Sequence, residues 1–223
     1  MASKSQSDKI ELFAHAPVKK ALLTMAIPTI ISQLVNLIYN MVDAYFIGRT
    51  GNSYMIAATS LTLTLVMMNV ALSNLFGIGG GSLMARLMGA GEEEEAKHVS
   101  AFSVYGVIGI AILYAELVGL FTDPLLTFLG ASSETIAYAR SYTQIVVVIG
   151  CVPAILSQAL AHLLRNAGYS TQASIGLSGG GILNVFLDPL FMFVLLPKGN
   201  EILGAGIATA LSNFIVCSFF FTV

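Results

Sequence analysis

Six runs of about twenty or more predominantly apolar residues, at 21–47, 56–87, 99–121, 142–164, 173–196 and 202–223, dominate this chain of 223 residues. A helical run of that length crosses the ~30 Å hydrocarbon core of a bilayer. Hydrocarbon offers no hydrogen bonds to a free backbone, so only helices or closed barrels can cross it. Barrel strands alternate apolar and polar residues over about ten positions, and these runs do not alternate. The sequence therefore predicts an all-α, polytopic membrane protein, a bundle of six transmembrane helices. Composition agrees, with 10% charged residues and a mean hydropathy of +0.83, where soluble domains carry about 25% charged residues. A net charge of −2 argues against a nucleic-acid partner and leaves the lipid bilayer as the expected surroundings.

Turn signals separate the runs: Gly48-Arg49-Thr50-Gly51, Gly89-Ala90-Gly91, Asp123-Pro124 and Pro197-Lys198-Gly199-Asn200. A looser segment, 125–140, contains Gly130 and Ser132-Ser133-Glu134, which read as a turn followed by a helix start. Residues 1–20 are polar and mixed in charge, without the apolar centre or cleavage site of a signal peptide. They read as a cytosolic lead-in, with Ile10-Glu11-Leu12-Phe13 ahead of Pro17 and Lys19-Lys20 as a short interfacial helix. With the N-terminus inside, Lys4, Lys9, Lys19, Lys20, Arg86, Lys97 and Arg165 fall on inner segments, and Arg49, Arg140 and Lys198 on outer ones. The positive-inside rule then favours a cytosolic N-terminus. The acidic run 92–95 reads as a solvated loop leading into a helix N-terminus. The last residues, Phe219-Phe220-Phe221-Thr222-Val223, are still apolar, which predicts a second part beyond this sequence. Cys151 and Cys217 stand alone in apolar runs and read as small buried hydrophobes.

Ionisable residues deep in a span are costly and usually functional. Asp188 lies about fifteen residues into the fifth run, too deep to reach water easily. Asn184 is one helical turn before it, on the same face. A carboxylate taken out of water beside an amide oxygen can hold a hard cation or a proton, a coupling device rather than a covalent catalyst. Asp43 is near the end of the first run, where it either joins such a site or reaches the interface. Asn36, Tyr39 and Asp43 step by three and four along one stripe, which lines a cavity or bonds a neighbouring helix; Gln33 and, in the fourth run, Gln158 add polar groups. Glu116 is near Asp123-Pro124 and reads as an interfacial side chain. Pro28, fifteen residues before Asp43, removes an internal hydrogen bond and predicts a kink in the first helix. Ser178-Gly179-Gly180-Gly181 reads as close helix packing more readily than as a hinge.

In order along the chain, several of these residues resemble the multidrug and toxic compound extrusion (MATE) family in its prokaryotic form. The resemblance rests on Pro28, Val42-Asp43 and Ile47-Gly48; on Arg86-Leu87-Met88-Gly89-Ala90-Gly91; on Gln158 with Arg165-Asn166-Ala167-Gly168; and on Asn184-Val185-Phe186-Leu187-Asp188-Pro189 followed by Gly204-Ala205-Gly206-Ile207-Ala208-Thr209. It covers nearly the whole chain as that family's N-terminal six-helix half.

The resemblance implies one lobe of a twelve-helix antiporter in a bacterial or archaeal cytoplasmic membrane, exporting organic cations in exchange for Na⁺ or H⁺. Residues 21–223 would be that lobe, with a second six-helix lobe supplied by an absent C-terminal half or a dimer partner. The implied coupling site is Asp43, Asn184, Asp188 and Thr209, with Na⁺ held by the first three if Na⁺ is the ion. The implied substrate cavity adds Asn36, Tyr39 and Gln158. No cofactor is expected beyond the ion. Two other readings stand beside this one. A flippase for lipid-linked saccharides tends to carry more basic residues in its cavity for pyrophosphate, whereas these spans hold acids and almost no Lys or Arg. An intramembrane aspartyl protease would pair Tyr-Asp with Gly-x-Gly-Asp, but here Val42 and Leu187 precede the aspartates. The chain is therefore expected not to be an enzyme.

Overall fold

A computed structural model describes residues 17–222. The expected interfacial helix at residues 10–13 lies outside the described residues. The elements are α1 (Val18–Arg49), α2 (Ser53–Ala90), α3 (Glu93–Leu120), α4 (Thr122–Phe128), α5 (Ile136–Thr143), α6 (Cys151–Asn166), α7 (Ser170–Pro189) and α8 (Glu201–Phe220). α5 runs on as a π-helical turn, Gln144–Ile149, and α7 as another, Leu190–Leu195. Among the described residues there is no strand. Among the described residues five helical stretches are long and apolar enough to span a bilayer, and the α5–α6 pair, bent by 50°, makes a sixth when counted as one span.

The predicted punctuation works through the backbone. Asn52 caps α2 by accepting a hydrogen bond from the Tyr54 N–H at 3.0 Å. α2 closes at Gly91, whose φ of 80° lets the Glu92 N–H return to the Leu87 carbonyl at 2.9 Å. Glu93, Glu94 and Glu95 occupy the exposed first turn of α3. α1 is continuous through Pro28.

The fourth span departs from expectation in two ways. It begins at Ile136 instead of 142, because Arg140 interrupts the apolar run without interrupting the helix. The Arg140 Nε donates to Asp123 Oδ1 at 2.6 Å and its NH2 group donates to Asp123 Oδ2, so the cation is satisfied at an exposed end of the bundle. The span is also bent, at Gly150. There the Gly150 N–H bonds back five residues to Ile145 at 2.9 Å, the widened geometry of a π turn. Pro153 follows in the first turn of α6, where its missing N–H would have no intrahelical partner anyway.

α1 lies chiefly along α7; α2 packs on α6 and α3, and α8 on α7 and α6. One buried core joins Ile47, Met55, Leu65, Val118, Tyr142 and Met192. Its polar groups are paired: the Thr62 and Thr143 hydroxyls meet at 2.9 Å, and Tyr114 Oη donates to the Leu65 carbonyl at 2.9 Å. Cys151 and Cys217 are buried free thiols, as the sequence predicts. α1 leaves Leu22, Ile31, Leu34, Leu37, Ile38 and Met41 exposed, a face for lipid or for other helices.

Candidate functional site: buried carboxylates beneath an amide-lined cavity

Asp188 is the most deeply enclosed charged residue described, with no exposed surface, and Asn184 one turn earlier is 2% exposed. The Asn184 Nδ2 donates to Asp188 Oδ1 at 3.2 Å and to Thr209 Oγ1 of α8 at 3.4 Å. One amide thus ties two helices at the carboxylate.

α1 enters through a glycine contact. A Cβ on Gly181 would lie 2.9 Å from Tyr39 Cδ1 and 3.6 Å from Val35 Cγ1, so only glycine permits this approach. Gly180 serves the same packing toward Val216 of α8, whereas Gly179 faces open space. The sequence Ser178-Gly179-Gly180-Gly181 is therefore a packing element for two of its three glycines. The close approach carries Asp43, one turn beyond Tyr39, near enough to Asp188 for their charges to interact. Beyond the carboxylates the Phe46 and Phe193 rings meet edge to face, centroids 6.2 Å apart.

Three oxygens here are buried without a hydrogen-bond partner among the described residues: Asp43 Oδ1, Asn184 Oδ1 and Asp188 Oδ2. Buried acceptors are normally satisfied. Together with Thr209 Oγ1 they form an all-oxygen set, the donor chemistry that hard cations take. The same oxygens can hold a proton.

Next to this set lies a cavity of about 230 Å³. Asn36, Tyr39 and Gln158 line it, as do Asn184 and Thr209, but Asp43 and Asp188 do not. Among the described residues no charged side chain lines the cavity. Asn184 and Thr209 thus face the cavity on one side and the carboxylate on the other. Gln33 and Glu116 are exposed. Several residues at the site were not singled out from sequence. Tyr142 is buried near both aspartates and Tyr39, with its hydroxyl in reach of Thr209; in the sequence it reads as the first residue of an apolar run. Asn69 and Asn213 line the cavity, and a lone amide within an apolar run was the available signal for each.

Bilayer-length helices around a buried carboxylate–amide set, beside a polar cavity, define a polytopic all-α membrane bundle with titratable groups enclosed between its spans. The MatE family model matches residues 28–190, and the chain belongs to that family. It is similar to the multidrug export protein MepA of Staphylococcus aureus (strain NCTC 8325 / PS 47), with 34% identity over 215 residues, covering 96% of this chain and 47% of MepA. It is similar in structure to a MATE protein in the straight conformation, with a TM-score of 0.87 at 26% identity, covering 95% of this chain and 46% of the other. Against a MATE protein in the bent conformation the TM-score is 0.78 at 27% identity, over 91% of this chain and 44% of the other. The chain spans about half the length of the relatives it matches.

Proposed function

We propose that this chain forms the ion- and cargo-binding lobe of a secondary antiporter that exports organic cations or drugs in exchange for Na⁺ or H⁺. The observation that carries this reading is the trio of buried, unpartnered oxygens on Asp43, Asn184 and Asp188. A buried carboxylate without a partner is costly, and a bound cation or proton removes the cost. Asp188 is the principal ligand, Asn184 and Thr209 are neutral ligands, and Asp43 shares the charge from α1. Loading the site draws α1 toward α7, and Pro28 supplies the weak point about which α1 bends.

Asn36, Tyr39 and Gln158 serve as cargo contacts in the cavity. The acids just beneath it give a field that favours cations, and the lack of a lining cation among the described residues disfavours a pyrophosphate-bearing cargo. The lobe sits in a bacterial cytoplasmic membrane with its N-terminus in the cytosol. A second six-helix lobe, from a longer chain or a second copy, completes the pathway. The likeness to MepA, a multidrug export protein, supports the reading.

The test is efflux of a fluorescent organic cation from cells expressing the full-length transporter, comparing wild type with Asp188→Asn and Asp43→Asn. Both variants are expected to lose export driven by the ion gradient. Export at the wild-type rate by both would end the coupling assignment. Efflux driven by Na⁺ alone at clamped pH separates the two ions.

A further inference from the structure

Several polar groups on the cavity wall are committed to partners within the protein. Asn40 Nδ2 donates to the Asn36 carbonyl at 2.8 Å and to its Oδ1 at 3.2 Å, Ser157 Oγ donates to the Ala154 carbonyl at 3.0 Å, and Asn184 Nδ2 serves Asp188 and Thr209. Asn69, midway along α2, differs. Its side chain is held at one edge only: Oδ1 accepts from Cys151 Sγ at 3.7 Å. Among the described residues its Nδ2 has no partner, yet it is not among the buried unsatisfied atoms. Asn69 itself is 6% exposed, and it lines the cavity.

Cys151 is fully buried and is the first residue of α6, just past the bend at Gly150. Its thiol faces two acceptors, Asn69 Oδ1 on α2 and the Ala111 carbonyl on α3 at 3.4 Å. An amide can present either its oxygen or its NH2 group by turning over. The thiol has one proton, with the Ala111 carbonyl at 3.4 Å and Asn69 Oδ1 at 3.7 Å; when that proton turns to Asn69 it holds the amide oxygen toward sulfur, and the NH2 group then faces the cavity.

We propose that Asn69 is a cargo-contacting, specificity-determining residue that donates a hydrogen bond to an oxygen acceptor on the cargo, and that Cys151 is its positioning residue. This rests on the organic-cation reading above and adds a chemical preference to it: cations that carry a carbonyl or ether oxygen bind better than cations that carry none.

The experiment measures binding of two cations to the whole chain in lipid nanodiscs. Rhodamine 6G has ester and ether oxygens; tetraphenylphosphonium has no hydrogen-bond acceptor. Asn69→Leu and Asn69→Ala are each expected to weaken rhodamine 6G by about five- to tenfold, the equivalent of one net hydrogen bond, and to leave tetraphenylphosphonium within about twofold. Retained tetraphenylphosphonium binding also reports that the variant is folded. Cys151→Ala is expected to reproduce part of the selective loss, and Cys151→Ser, which keeps a proton donor, to restore it. Equal weakening of both cations by both Asn69 variants, or no change in either, overturns the proposal. A selective loss at Asn69 with none at Cys151→Ala overturns the positioning role alone. Wild-type protein that binds neither cation overturns the organic-cation reading itself, and this inference with it.

Discussion

Replacing Gly181 with alanine tests whether the contact between α1 and α7 sets the geometry of the buried oxygens. The new Cβ would lie 2.9 Å from Tyr39 Cδ1. Carbon atoms settle at about 3.5–4.0 Å, so α1 must recede by at least ~0.6 Å at this level. Cδ1 is near the root of the tyrosine ring, so the side chain cannot swing clear alone. Overpacking costs about 1–3 kcal/mol, and alanine returns about 1 kcal/mol of helix propensity, so global stability falls by no more than ~2 kcal/mol. The local consequence is larger. Hard-cation coordination is sensitive to a few tenths of an ångström, and Asp43 rides on the displaced helix one turn beyond Tyr39. The assay is thermal unfolding of the purified chain in NaCl against choline chloride at equal ionic strength. If Na⁺ is the coupling ion, at a hundred times its Kd it is expected to add about 2.7 kcal/mol to wild type. Gly181→Ala is expected to lose most of that increment. Gly179→Ala, where an added Cβ meets nothing within 4 Å, should keep it in full. If protons are the coupling ion, the same contrast appears in unfolding followed against pH. Equal ligand-dependent stabilisation in both variants would refute the claim that this contact aligns the site.

Other consequences follow from the same packing. Gly204→Ala would place a Cβ 2.8 Å from the Met192 backbone N and Cα, which no rotamer change relieves; the expected result is a large loss of monodisperse protein on size exclusion. Thr143→Val removes the buried hydroxyl pair with Thr62 but leaves Thr62 donating to the Ala58 carbonyl at 3.1 Å, so thermal unfolding should report a loss of about 1 kcal/mol. Arg140→Ala breaks the ion pair with Asp123, whose partners are 49% and 46% exposed. Its cost should be at most ~1 kcal/mol and should shrink in high salt.

Span existence was legible because apolar run length is a property of the solvent, not of detailed packing. Span ends were less so. Arg140 stopped the hydropathy run six residues short of the helix start, since its partner Asp123 lies beyond an intervening turn. The bend at Gly150 was illegible for a related reason: Val146-Val147-Val148-Ile149 reads as an unbroken apolar stretch, and a π turn needs no special residue type to announce it. At the site, Asn184 and Asp188 were readable because their spacing is local and a charge in a span is expensive. Thr209 was reached only through family resemblance, as its contact crosses from α7 to α8. Asn69 and Cys151, 82 positions apart, carried no mutual signal: a neutral amide and a thiol are individually cheap enough to pass as core.

Asn184 belongs to both the carboxylate set and the cavity wall, and that shared membership makes a quantitative demand. Its Nδ2 already serves Asp188 and Thr209, and its Oδ1 is the unpartnered acceptor. On the antiport reading, a cation that takes Oδ1 fixes the amide, and a cargo touching Asn184 from the cavity meets a group whose orientation depends on the ion. Ion and cargo affinities are then linked, and linkage is reciprocal: the factor by which Na⁺ changes the cargo Kd equals the factor by which cargo changes the Na⁺ Kd. Couplings of this kind are about 1–3 kcal/mol, roughly 5–150-fold. Isothermal titration of tetraphenylphosphonium with and without saturating Na⁺, and of Na⁺ with and without the cation, gives both factors. Asn184→Ala should bring both toward one, beyond any loss in either affinity alone. Two equal factors that survive Asn184→Ala would mean that the coupling runs through the movement of α1, with Asp43 and not Asn184 as its carrier.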